Sequence, residues 1–139
     1  MWATGDRRAG IALIEAMVVI AITIMIGAIA FPEMRAGLAG VAFQQAAAGL
    51  RADLRMARAQ SLTTGARVDL VIAPDGAGYG WTPGPRRALV GDLRLSSKGS
   101  ATSFFPDGSS TGGALRLTDG RRALDVALNP LTGLMEAAR

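Results

Sequence analysis

The side chains able to do chemistry are few in this chain, and they do not form a catalytic set. The 139 residues include no Cys and no His, which removes the usual thiolate nucleophile, the commonest general base and the commonest metal ligand. The hydroxyls of Ser109, Ser110 and Thr111 lie in a Gly-rich stretch without a matched base. Gly112-Gly113 is not followed by the Lys-Ser/Thr of a phosphate loop. We therefore predict no enzymatic activity and no cofactor.

Three aspartates stand next to glycines in the part of the chain after Gly65. Asp75, Asp107 and Asp119 each precede a Gly, the place where Asp favours a turn through bonds to its own backbone. A calcium cluster would need them to converge from widely separated positions. The pattern favours three turns, and we predict no metal site.

The arginines offer a surface for binding. Arg supplies 14 of the 15 basic residues, and the net charge is +4. Arg51, Arg55 and Arg58 occupy i, i+4 and i+7, so a helix would place them on one side. One interpretation is a solvated face offset by nearby acids such as Asp53. The other is a contact with an acidic partner subunit or with a nucleic-acid phosphate backbone.

One carboxylate, Glu15, lies inside a long apolar run. From Ile11 to Phe31 the run has 21 residues, and about 20 residues in a helix cross a 30 Å hydrocarbon core. A charge at the bilayer centre costs roughly 2.5–3.5 kcal/mol, so the sequence predicts a partner for Glu15. Arg7 and Arg8 precede the run, which predicts a cytoplasmic N-terminus and residues 33–139 outside.

Other interpretations of the run remain open at this point. A secretory signal peptide cut near Ala28-Ile29-Ala30 would have a shorter apolar core, without Glu15. A plain single-pass anchor leaves Glu15 unexplained. In a further interpretation, Glu15 reaches to the membrane interface from its position near the cytoplasmic end.

The N-terminal pattern resembles the signature of type IV pilins and of the pseudopilins of type II secretion. It comprises GIALIE from Gly10 to Glu15, the apolar run, and Pro32 at its end. The resemblance implies a leader of residues 1–10, cut after Gly10 by a prepilin peptidase, and N-methylation of Ile11. The family usually has Phe where Ile11 stands. Cleavage would leave the Ile11 α-amino group four residues from Glu15, and Glu15 of one subunit can then pair with the amino terminus of a neighbour.

A second helical pattern follows Pro32. Pro32 should kink the helix rather than end it, since residues 33–63 contain no Pro and many helix formers. Gly65 is the predicted C-terminal stop. A narrow apolar or small face is predicted from Leu50, Leu54, Ala57 and Ser61.

After Gly65 the apolar pattern changes to a period of two. Turn sequences separate the predicted strands, which are residues 68–72, 78–81, 89–95, 102–105, 114–118, 121–128 and 134–136. Asp119-Gly120 predicts a two-residue hairpin turn. A long helix followed only by short strands predicts an α+β fold, with the helix laid across antiparallel sheet.

The exported part also bears a resemblance, to the H-type minor pseudopilins and the FimT minor pilins. It is carried by residues 54–61 leading to Gly65, by 105–113 and by 129–134. The resemblance implies a pilin-like fold, with residues 11–32 in the inner membrane and a periplasmic domain over 33–139. It also implies a minor subunit of a type II secretion pseudopilus, whose partners are other pseudopilins and the prepilin peptidase. The alternatives are a FimT-like minor pilin that binds DNA for natural transformation through exported arginines, and a subunit of an ordinary type IV pilus.

Overall fold

The described part of the chain folds into one long helix and eight strands. The computed structural model describes the backbone of residues 7–99 and 101–137, and their side chains except those of residues 7–12, 32–33, 35–36 and 137. Two compact units divide at Gly40 and Val41. The helix is α1 (Arg7–Thr64), and the strands are β1 (Val68–Ile72), β2 (Gly78–Thr82), β3 (Arg86–Ala88), β4 (Arg94–Lys98), β5 (Ser103–Phe104), β6 (Gly113–Thr118), β7 (Ala123–Leu128) and β8 (Met135–Ala137).

In the first unit, α1 exposes its apolar side chains. The segment Leu13–Phe31 is long and apolar enough to cross a membrane by length and composition, and none of it is buried. Thr23 Oγ1 donates to the Val19 carbonyl oxygen at 2.8 Å, so the hydroxyl is satisfied within the helix. The helix continues through Pro32, as expected, whereas the kink stays a prediction. Residues 1–6 of the predicted leader, and the side chains of Ile11 and Pro32, lie outside the described residues.

In the second unit, α1 packs through the face that the sequence predicts. Leu50 and Ser61 are fully buried, while Leu54 and Ala57 keep 2% and 1% exposure. Burial of each leucine contributes about 1.5–3 kcal/mol. The helix ends where Gly65 adopts a φ of +65° and donates its N–H to the Ser61 carbonyl oxygen at 3.1 Å. The predicted glycine stop is confirmed.

The strands form two antiparallel sheets that share one core with the helix. The first sheet has the order β3-β2-β1-β5 and the second the order β4-β6-β7-β8. Their inward side chains and the helix face belong to a single hydrophobic cluster. The α+β prediction is confirmed, and β8 is the edge strand predicted near residues 134–136.

The strand predicted over residues 89–95 is wrong. Residues 89–93 lie outside any strand and separate β3 from β4, which belong to different sheets; only Arg94 and Leu95 of the predicted stretch are in a strand, β4. The chain turns at Gly91, whose φ is +69°. Leu93 and Leu95 are both buried, so the alternation reflects burial in the shared core rather than a continuous strand.

The hairpin of β6 and β7 is confirmed, but its predicted two-residue turn is wrong. Thr118 and Ala123 are the last paired residues, which leaves residues 119–122 as the loop, and β7 begins at Ala123 instead of Arg121. Both central residues of the expected turn need a positive φ, and no described residue other than glycine has one. The Asp119 carboxylate accepts from the N–H groups of Arg121 and Arg122 at 2.9 and 2.6 Å, which supports the wider loop.

Candidate functional sites

The first candidate site is the apolar surface of α1 in the N-terminal unit, with Glu15 near its start. The Glu15 side chain is exposed within this unit, and so are large side chains along the segment, such as Ile24 at 66%. Surfaces of this kind are covered by lipid or by other helices. Ile11 and Glu15 lie on the same helix, about one turn apart. The roles predicted for Gly10, Ile11, Glu15 and Pro32 remain predictions.

The second candidate site brings together the three arginines that the sequence places on one helix side. Arg51, Arg55 and Arg58 line a groove of about 550 Å³ between α1 and the second sheet. Residues 124–126 of β7 and residues 133–136, which lead into and through β8, form the opposite wall. We call this cavity the arginine groove.

No ion pair joins the helix arginines to the acids of the arginine groove among the described residues. Asp125 lies 3.4 Å from Arg116 Nη1 and 4.0 Å from Lys98 Nζ. Glu136 Oε1 accepts from Asn129 Nδ2 at 2.7 Å. Each acid on the wall is therefore held by groups other than the helix arginines.

Among the described residues, Arg58 alone of the three arginines has side-chain hydrogen bonds. Its Nε donates to the carbonyl oxygens of Thr132 and Gly108 at 3.0 and 3.3 Å, so it joins two loops to the helix. Space is tight there, because a Cβ on Gly133 would lie 2.5 Å from the Gly108 oxygen. Helical spacing grouped Arg58 with the other arginines but gave no sign of these contacts.

A buried polar cluster escaped sequence reasoning. Asp53 is 4% exposed, accepts a 2.8 Å hydrogen bond from the Tyr79 hydroxyl and forms an ion pair with Arg87. Burial, followed by the hydrogen bond to Asp53, raises the pKa of Tyr79 above its ordinary value. Asp53 therefore pairs with Arg87 and Tyr79 rather than with the helix arginines that it was expected to offset. The sequence feature that could have indicated this cluster is the acid Asp53 directly beside Leu54 on the predicted apolar face of the helix.

The serine and aspartate side chains in the loops bond to the protein itself. Asp107 Oδ1 accepts from the Ser109 N–H at 2.9 Å and its Oγ at 2.6 Å, and the side-chain bond lowers the Asp107 pKa. Ser110 Oγ donates to the Asn129 carbonyl oxygen at 3.1 Å, and Thr111 Oγ1 to the Ala101 carbonyl oxygen at 2.9 Å. The hydroxyls stabilise turns, as do the three aspartates predicted for that role.

The architecture is that of a pilin-like protein. The chain is similar to the type IV minor pilin FimU of Pseudomonas aeruginosa PAO1, solved in two crystal forms, with TM-scores of 0.58 and 0.53 and 16% identity. The likeness covers 70% and 69% of this chain and 88% and 92% of those chains. At this identity it shows the fold: an N-terminal helix on antiparallel sheets.

The sequence defines the family within that class. The family model described as Type II transport protein GspH matches residues 46–132. The Type II secretion system protein H of Xanthomonas campestris pv. campestris is 31% identical over 129 residues, which cover 84% of this chain and 76% of that protein. The chain belongs to the GspH family of pilin-like proteins, and the resemblance drawn from its motifs is confirmed.

Proposed function

We propose that this protein is a minor pseudopilin of a type II secretion system, which assembles into the periplasmic pseudopilus that drives protein export. The observation that carries the proposal is the match of residues 46–132 to the GspH family, in a chain that also exposes the apolar helix Leu13–Phe31. A similar protein bears the name type II secretion system protein H. In this role the protein is structural and performs no catalysis.

The N-terminal segment supplies processing and anchoring in this proposal. A prepilin peptidase removes residues 1–10 by cutting between Gly10 and Ile11, and Ile11 is then N-methylated. Residues 11–32 hold the protein in the inner membrane, and residues 33–139 lie in the periplasm. The length and composition of Leu13–Phe31 support a single-pass anchor.

Assembly in this proposal depends on Glu15. In a bundle of parallel helices its carboxylate pairs with the amino terminus of a neighbouring subunit. Two groups that are costly to bury alone then neutralise each other, and removing either one leaves an uncompensated charge. Pro32 marks the end of the membrane segment and lets the helix change direction there.

Deletion of the gene, with complementation, tests this function. We expect the strain to retain in the periplasm proteins that the parent releases, and the full chain to restore their release. Unchanged culture supernatant together with lost DNA uptake would contradict the proposal and favour the FimT-like alternative. Mass spectrometry of the membrane-extracted protein checks processing, with a mature start at Ile11 expected.

A further inference from the structure

We propose that the arginine groove binds an acidic segment of a neighbouring pilin-like subunit, one that carries apolar side chains between its carboxylates. The inference rests on the proposed function in one respect, because it takes the partner to be a subunit of the same fibre. The groove itself is formed within the second unit, by α1, β7 and residues 133–136.

The charge of the groove selects an anion. Arg51 and Arg55 are exposed and have no side-chain hydrogen bond or ion pair among the described residues. Of the acids on the opposite wall, Asp125 contacts Arg116 through Oδ2 and Glu136 contacts Asn129, while Asp125 Oδ1 has no hydrogen-bond partner among the described residues. Two guanidinium groups are thus available to a ligand, and guanidinium is suited to bidentate bonds with a carboxylate.

The apolar lining favours a ligand that carries apolar groups as well as negative charge. Leu54 and Val126 line the groove and are buried, whereas Leu134 on the rim is 55% exposed. A volume of about 550 Å³ falls in the usual range of sites that enclose a ligand. A segment with apolar side chains between its acids would cover this surface as well as meet the charge.

The same lining argues against a nucleic acid. A phosphate backbone has no apolar groups to cover Leu54, Val126 and Leu134, which line the groove. Single strands bind by stacking their bases on aromatic side chains, and the described residues that line the groove include no aromatic one. A peptide can place its few carboxylates against the helix arginines and its apolar side chains against the opposite wall.

Peptide binding to the full chain in detergent micelles tests the inference. The probe is a short fluorescent peptide that repeats Leu-Glu-Ser, and its comparator has Lys in place of Glu. We expect the acidic peptide alone to bind, and Arg55→Glu to weaken binding about tenfold or more through the loss of charge-assisted bonds. Arg55→Gln should act in the same direction and serves if the charge reversal impairs folding.

Arg86→Glu is the matched control. Arg86 lies on β3 of the other sheet, exposed, and like Arg55 it has no side-chain hydrogen bond or ion pair among the described residues. We expect it to change binding less than about twofold, as is usual for a charge remote from the site. Equal losses in Arg55→Glu and Arg86→Glu, equal binding of the two peptides, or displacement of the peptide by duplex DNA would overturn the inference.

The outcome is separable from that of the proposed function. If the purified protein does not bind the peptide but the deletion strain is defective in secretion, the groove assignment alone is overturned. If the purified protein binds the acidic peptide specifically but deletion of the gene leaves secretion unchanged, the secretion assignment alone is overturned. The groove then remains a peptide-binding site.

Discussion

Gly133, in the turn between β7 and β8, is held against the loop that contains Gly108. Its φ is +62°, and a Cβ added there would lie 2.5 Å from the Gly108 carbonyl oxygen and 3.1 Å from Arg58 Nε. The obstacle is backbone, so Gly133→Ala must push two loops apart. That movement weakens the hydrogen bonds by which Arg58 joins both loops to the helix.

The expected loss has two parts. A left-handed conformation costs a residue with a Cβ about 1–2 kcal/mol, and forcing extra volume into a packed site typically costs about 1–3 kcal/mol. Gly120→Ala is the matched control, because Gly120 has a φ of +84° but no described residue apart from its chain neighbours lies within 4 Å of an added Cβ. It should lose only the conformational part.

Thermal unfolding followed by tryptophan fluorescence, in a Trp2→Phe background so that only Trp81 emits, measures the difference. Trp81 is 4% exposed and donates to Gln60 Oε1 at 2.8 Å, so its emission reports the folding of the second unit. Since 1 kcal/mol shifts the midpoint of a domain of this size by about 4–8 °C, Gly133→Ala should unfold at least about 4 °C below Gly120→Ala. Equal midpoints for the two variants would refute the close packing of the turn.

Three further changes probe the core and the polar contacts by the same unfolding assay. Leu50→Ala, at a fully buried position, should cost about 2–5 kcal/mol, whereas Met56→Ala on the exposed helix side should stay within about 0.5 kcal/mol; similar losses would contradict the assigned helix face. Tyr79→Phe removes a hydrogen bond to a buried carboxylate and should cost about 1.5–3 kcal/mol, so an unchanged midpoint would contradict that bond. A 2.6 Å hydrogen bond from Ser103 lowers the pKa of Asp69 below its ordinary 3.8, so its stabilisation is present above that pH and is lost as pH falls through the lowered value. Asp69→Asn should therefore reduce the acid sensitivity of unfolding between about pH 5 and pH 2, and an unaltered profile would contradict the assignment.

Local patterns predicted the elements of this fold well. The helical face of Leu50, Leu54 and Ala57 depends only on spacing, and the stop at Gly65 only on one residue's conformational freedom. The strand over residues 68–72 follows in the same way from alternation and a turn sequence. Such features are set by neighbours in the sequence.

Contacts between segments that are distant in the chain could not be predicted from the sequence. The division into two sheets depends on which strands pair, and β1 pairs with β5 rather than with β4. Asp53 finds its partners in Tyr79 and Arg87, on two strands far along the chain. The helical pattern placed Arg58 on the correct side of α1, but the loops whose carbonyl oxygens accept from its Nε lie before β6 and between β7 and β8.

Incorporation of a Glu15→Leu variant into the fibre is the most direct test of the proposed assembly. Thr23→Leu is the control, because it also replaces a polar side chain of the apolar segment, but one whose hydroxyl bonds within its own helix. The assay compares the amount of correctly processed variant in purified fibres with the amount of processed parent protein. We predict a loss of at least about tenfold for Glu15→Leu, from the unpaired amino terminus left in the bundle, and parental incorporation for Thr23→Leu. Parental incorporation of a correctly processed Glu15→Leu protein would contradict the pairing.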